Sequence, residues 1–312
     1  MFSKIKFKSY EPIKNIKRTF QPNQEDMVVI TEKVHGANFS IYILVDSNYN
    51  IAVNYASRSG FITPNDSFFN NVYIKVMNKY LPNIAAYIKT EPILKNSEIR
   101  IIGELYGGWL NGQTEEGYYP IIKSDFSNYS STNDFVVFDI VINGYWGTWD
   151  KIIYFCEQTN LKYVPELFRG KWKDNKISIE MLESKLSLEN SPAEGIVIRN
   201  LNPNPDMKTR CKRFKLKCHR MLNERIQKDS DEDFISKQKS EAIGMMNSER
   251  FNSYLSKFGP ETIKKKDIGE NIKALVDDTI IDIKECYPDF NERIIIKELN
   301  SIAYKYVKNL QK

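Results

Sequence analysis

Cysteine is scarce. There are four in 312 residues, Cys156, Cys211, Cys218 and Cys286, and no two form a CxxC pair. This argues against a disulfide-stapled scaffold, and Cys211 and Cys218 with His219 fit no common zinc spacing. The cysteines read as ordinary reduced thiols. No stretch approaches the roughly 20 apolar residues that a membrane span needs. The opening MFSKIKFKSYEP spaces its lysines too closely to leave an apolar signal core. Internal repeats and low-complexity tracts are also absent. The expectation from these absences is a cytoplasmic protein (host cytoplasm if the source is viral), with no membrane partner.

What is present is ordinary for a folded chain. Apolar residues make up 41% and charged residues 27%, enough for a sizeable core in one large domain or two ordinary ones. The net charge of +5 is modest but uneven. Residues 201–220 hold seven Lys/Arg against one Asp, a balance of +6, while residues 1–200 balance to 0 and residues 221–312 to −1. In that stretch Phe214 and Leu216 alternate with cations, as on a strand with one cationic face. Such a face suits phosphates, though a charge run is more often simply solvated.

Up to residue 220 the chain is rich in short β-type runs punctuated by Gly, Asn, Asp and Pro: VVITEKVHG, NFSIYILV, IAVNYASR, EIRIIGELYGG, DFVVFDIVI, AEGIVIRN and CKRFKLK. Two helices are expected among them, over 65–90 and over 177–190. Strands in clusters rather than in strict βαβ alternation predict an α+β domain of antiparallel sheets. After that the pattern turns helical. One helix is expected to stop at Gly259-Pro260 and another before Pro288. A third carries Ile295, Leu299, Ile302, Tyr306 and Leu310 at helical spacing. The expected domains are 1–224, α+β, and 225–312, all α.

Six fragments carry chemistry-bearing residues at strand edges. They are Lys33-x-His35-Gly36-x-Asn38, Arg58 in SRSG, Glu104 in GELYGG, Phe138 in FVVFDI, Glu194 in EGIVIR, and Lys215 and Lys217 in KLK. Each has a plain explanation alone: an exposed lysine, a turn, a hairpin, a core aromatic, a solvent-facing glutamate, a surface strand. Six together in one fixed order are hard to explain as separate accidents. A lysine amine is a nucleophile only when neutral, and burial or neighbouring cations favour that form. Gly36 allows close backbone approach to a ligand.

The set resembles the motif series of the covalent nucleotidyltransferases, the superfamily of ATP-dependent ligases and mRNA capping enzymes. It is most similar to the RNA ligase 2 family of phage-type RNA ligases and RNA-editing ligases. His35 stands where DNA ligases and capping enzymes usually carry aspartate, and Asn38 where DNA ligases commonly have arginine. The resemblance implies a nucleotidyltransferase fold and an ATP-dependent RNA ligase, with Mg2+ or Mn2+. The implied enzyme would seal 3′-OH/5′-phosphate RNA ends, as at nicks in duplex RNA, through a lysyl-AMP intermediate; a monomer is expected.

Implied catalytic residues are Lys33, Lys215 and Lys217. Implied nucleotide contacts are Glu32, His35, Gly36, Asn38, Arg58, Glu104, Phe138 and Glu194. Glu194 is the implied metal contact, with Glu104 as its rival, and Phe135 rivals Phe138 as adenine stacker. Asn38 is also a candidate to meet an RNA 2′-hydroxyl. Lys4, Lys6, Lys8, Lys14, Lys17 and Arg18 are either solvated or aligned with a nucleic-acid backbone. The competing functions are a DNA ligase or mRNA guanylyltransferase, and a nucleic-acid-binding protein that has lost catalysis. The helical tail argues against the first pair, which usually continue into an OB barrel. The presence of every reactive position argues against the last.

Overall fold

A computed structural model of the chain describes residues 5–11, 13–16, 21–63, 68–123, 128–188, 191–201, 213–217, 243–259, 267–286 and 292–311. It divides into two compact units, Met1–Cys218 and His219–Lys312. The sequence-derived boundary between 224 and 225 falls outside the described residues.

In the first unit the elements run β1 (Lys14–Asn15), β2 (Met27–Lys33), β3 (Ala37–Val45), β4 (Ile51–Ser57), β5 (Phe61–Ile62), α1 (Val72–Thr90), β6 (Glu98–Trp109), β7 (Ser130–Ile142), β8 (Tyr145–Trp146), α2 (Trp149–Thr159), β9 (Lys162–Tyr163), β10 (Glu166–Lys171), β11 (Gly195–Asn200) and β12 (Arg213–Lys217). Among the described residues they form two sheets. One has the order β1-β12-β11-β2-β10. The other runs β5-β4-β3-β6-β7-β8, with β9 also on β7. All pairings are antiparallel except β1 with β12 and β7 with β9. This is the α+β architecture that the clustered strands predict.

Alternation along β3 explains its place in the core. Phe39, Ile41, Ile43 and Val45 belong to the main apolar cluster, where Tyr73, Met77, Tyr80, Ile84 and Ile88 of α1 also pack. That spacing is one helical stripe, and each full burial contributes roughly 1.5–3 kcal/mol. The expected helix over 65–90 is shorter than its pattern. Phe69, Asn70 and Asn71 adopt positive φ, so α1 begins only at Val72.

The helix expected over 177–190 does not form. Its described part holds one 3-10 turn, Ile179–Met181, and is otherwise irregular. Ile179 and Leu182 instead pack on Val28, Ile30, Ile196 and Ile198 of the β2–β11 face. The segment's backbone bonds to its own return, Ser184 N–H to Ser191 O at 2.8 Å and Ala193 N–H to Leu182 O at 2.9 Å. Tertiary pairing overrides the local period. Conversely, α2 is a helix that the strand-rich reading passed over. Thr148 caps it, accepting from Lys151 N–H, and Asn160 closes it in the left-handed region.

The second unit contains α3 (Ser248–Phe258), α4 (Ile268–Cys286) and α5 (Ile296–Gln311). Gly259, at φ 78°, ends α3 as its sequence predicts. Phe251, Tyr254, Leu275, Ile283, Leu299, Ala303 and Val307 form a core separate from that of the first unit. No described helix is long and apolar enough to cross a membrane.

Candidate active site

Strand register brings several of the candidate positions together. In one sheet Gly195 of β11 pairs with Lys33 of β2 on one side and with Lys217 of β12 on the other. Two residues along, Thr31, Val197 and Lys215 form the next row of the same parity. Opposed positions in paired strands share a sheet face. By register, positions 33, 215 and 217 therefore belong to one face of the sheet, in two rows separated by one row of the other face. In the other sheet Asn38 of β3 pairs with Glu104 of β6.

Lys33 ends its strand with a side chain only 25% exposed, and its Nζ forms an ion pair with Glu194 Oε2. The amine is thus held by protein rather than directed into bulk water. Glu194 itself is buried, just before β11 begins. Burial pushes the Glu104 carboxyl up to about 8. The charges of Lys33 and Arg58 pull it back, while Glu194 adds to the rise. The three side chains Lys33, Glu194 and Arg58 thus all act electrostatically on Glu104.

The β2–β3 connection is built by two contacts. His35 is buried, and its backbone N–H donates to the Tyr129 hydroxyl at 2.9 Å. A Cβ on Gly36 would lie 2.3 Å from Leu105 O and 2.9 Å from Glu104 Cγ. The glycine therefore serves a close approach to the protein's own β6, beneath Glu104, where sequence reasoning expected an approach to a ligand. Asn38 Oδ1 is buried without a hydrogen-bond partner. An orphaned acceptor beside Glu104 fits a site that a hydroxyl-bearing ligand completes.

The structure separates two expected nucleotide contacts from this cluster or from each other. Glu32 shares the opposite face of β2 with Val28 and Ile30. Its carboxylate accepts from Ser184 Oγ and, at 2.8 Å, from Lys185 N–H. Burial raises its pKa, against those two hydrogen bonds. Strand alternation turns Glu32 away from the Lys33 face. Of the two phenylalanines, Phe135 is fully buried, edge-on to Phe39 at 5.6 Å and against Gly103. Phe138 is half-buried and sits where a bulge leaves it unpaired between Asp139 and Val137. Phe135 is thus fully enclosed by the core, whereas Phe138 keeps part of its surface exposed.

A buried pair missed by sequence reasoning connects the sheets here. Arg199 Nη1 donates to Asp139 Oδ1 at 3.2 Å, and Arg199 Nη2 to Phe138 O at 2.6 Å. A signal existed: each is a lone charge inside an apolar strand run. Among the described residues no group of three or more His, Cys, Asp or Glu gathers to hold a metal. Glu104 and Glu194 alone suit a hard divalent cation that keeps most of its water or phosphate ligands.

A family model described as RNA ligase matches residues 26–217, more than half of the chain. The mitochondrial RNA-editing ligase 1 of Trypanosoma brucei brucei is 27% identical over 264 residues, covering 69% of this chain and 55% of that protein. RNA-editing ligase 2 of the same organism is 38% identical over 85 residues, 27% of this chain and 20% of that protein. A Naegleria gruberi RNA ligase solved with AMP and Mn superposes with a TM-score of 0.44 at 17% identity, covering 69% of this chain and 57% of that one. The chain spans about half the length, or less, of these curated relatives. With the matched region running from β2 through β12, and so through every motif of the Lys33 cluster, the chain belongs to the RNA ligase family.

Proposed function

We propose that the protein is an ATP-dependent RNA ligase that joins a 3′-hydroxyl to a 5′-phosphate, with nicks in duplex RNA as its substrate class. The observation that carries this reading is the Lys33 cluster: a shielded amine on Glu194, beside Glu104 and Arg58, in register with two further lysine positions. The names of the trypanosome relatives support RNA as the polymer.

Three displacements would follow. Lys33 Nζ attacks the α-phosphorus of ATP, a P–N bond forms, and the P–O bond to pyrophosphate breaks. The ammonium must lose one proton and its Glu194 partner before it attacks, and a second proton leaves the nitrogen as the P–N bond forms. The AMP then passes to the 5′-phosphate of an RNA end, which restores the lysine. Finally the 3′-oxygen attacks that activated phosphate and AMP leaves. Each step gathers negative charge on phosphate oxygens, so positioning and neutralisation dominate.

Lys215 and Lys217 would offset that charge. Glu104 and Asn38 suit ribose hydroxyls, and Phe138 suits a purine ring face. A bound Mg2+ or Mn2+ would neutralise phosphate oxygens, held by Glu194 with Glu104 nearby. Taking up Glu194 in this way also removes the counter-ion of Lys33.

The test is a label. Protein incubated with α-labelled ATP and magnesium should retain label on a denaturing gel, and Lys33→Ala should abolish it. Label from GTP alone would point to a capping enzyme. No label from either would leave a nucleic-acid-binding protein.

A further inference from the structure

Residues Ile5–Glu11 have no part in the reading above, yet they touch both ends of the site. Lys8 is pinned through its backbone: its N–H donates to the Tyr42 hydroxyl at 3.2 Å, and its O accepts from it at 3.1 Å. Tyr42 is fully buried in β3. On one side of this pin the Phe7 ring meets Phe61 edge-on at 5.7 Å, and Phe61 meets Tyr42 at 5.1 Å. On the other, Ser9 Oγ donates to Arg58 O at 3.4 Å. Further along, Tyr10 donates to Asp139 Oδ2 at 2.7 Å and its ring lies 5.2 Å from that of Phe138.

Phe61 and Arg58 bracket the turn between β4 and β5. That turn is closed internally by Ser57 N–H to Gly60 O at 2.9 Å and by the Ser57 and Ser59 hydroxyls at 3.0 Å. Those bonds fix its shape but not its placement over the sheet. Its two ends are held by the strand ladder, Ser57 opposite Phe39 of β3 and Phe61 opposite Ala56 of β4; the described contacts that reach the turn from outside the sheet are Phe7 on Phe61 and Ser9 on Arg58 O.

We infer that Ile5–Glu11 is a strap that sets the position of the Arg58 turn, with Phe7 as its positioning residue. The inference rests on Arg58 handling a phosphate in the proposed ligase. A guanidinium recognises phosphate through directional paired hydrogen bonds, so a displaced turn loses them even though Arg58 is still present. A displacement of about 1 Å at a positioning group can cost about a hundredfold in rate.

The experiment is a double-mutant cycle on the full chain. Phe7→Ala, Arg58→Ala and the double variant are compared for label uptake from ATP and for transfer of AMP to a 5′-phosphate RNA end. Phe7→Ala should slow whichever step Arg58→Ala slows, by about tenfold or more, and add nothing in the Arg58→Ala background. Phe7→Tyr should restore the rate. Hydrogen exchange at the Ser57 and Ser59 amides should rise in Phe7→Ala, whatever the activity. Losses that multiply in the double variant, an unaffected rate, or unchanged exchange would each overturn the strap. If Phe7→Ala does not fold, Phe7→Leu and Ser9→Ala carry the same cycle. Failure of the wild type to take label from ATP sinks the ligase reading instead, and the exchange measurement still decides the strap.

Discussion

Glu104 is the residue whose protonation the fold shifts most tellingly within the site. Its carboxyl moves from an ordinary 4.5 up to about 8 through burial. Below the lower value both folded and unfolded chains hold the proton, so stability is unaffected. Between the two values the unfolded chain releases the proton and the folded chain keeps it. Stability therefore falls as pH rises from 4.5 to about 8. Glu104→Gln removes this titration. The melting temperature of that variant relative to wild type should be more favourable at pH 8.5 than at pH 5, by about 2–4 °C for each kcal/mol regained. A difference independent of pH would mean that the carboxylate is well solvated. Lys215→Ala and Lys217→Ala address the same charge logic from the opposite sign. Each should slow formation of lysyl-AMP on Lys33, read as label uptake from ATP; full activity in both would remove their assigned role.

The segment after Leu182 shows what an element does when its own period is overruled. Ser184 and Lys185 hold the Glu32 carboxylate on the face of β2 opposite Lys33, one residue before the strand end that carries it. Ser184→Ala leaves one buried carboxylate oxygen without its hydroxyl donor, a loss of about 1–3 kcal/mol. The urea midpoint should drop accordingly; an unchanged midpoint would mean that Glu32 finds another donor. The same element marks the limit of what the sequence made legible. Strands with clean alternation or β-branched runs, β3, β6, β7 and β11, were readable because burial repeats locally. The order of the motifs was readable too. Whether Ile179 and Leu182 line a helix or an irregular strip depends on the β2–β11 face they meet, which no local window contains. The fate of Glu32 was hidden likewise: its neighbour Lys33 is the proposed nucleophile, but alternation along β2 sends the two side chains to opposite faces. The Asp139–Arg199 pair joins positions 60 residues apart. Nothing in either fragment announces the other.

At the scale of the whole molecule each unit has an apolar core of its own. In the proposed reaction lysyl-AMP formation would need ATP and the Lys33 cluster, and that cluster lies within Met1–Cys218. Sealing also needs a polymer held in place. Deleting residues 225–312 should therefore spare label uptake and weaken nick sealing; equal sealing by the truncated protein would refute a substrate role for the helices. Charge adds a second readout. The chain's cationic excess lies in residues 201–220, which the truncation retains, while residues 221–312 balance to −1. Phosphate contacts release counterions, so their number sets the slope of binding against salt. If the helical unit grips RNA chiefly through shape and polar contacts, the truncated protein should bind more weakly at every salt concentration with nearly the same slope. A slope that collapses on truncation would place the phosphate contacts in the helices, and the cationic stretch would then be a solvated face.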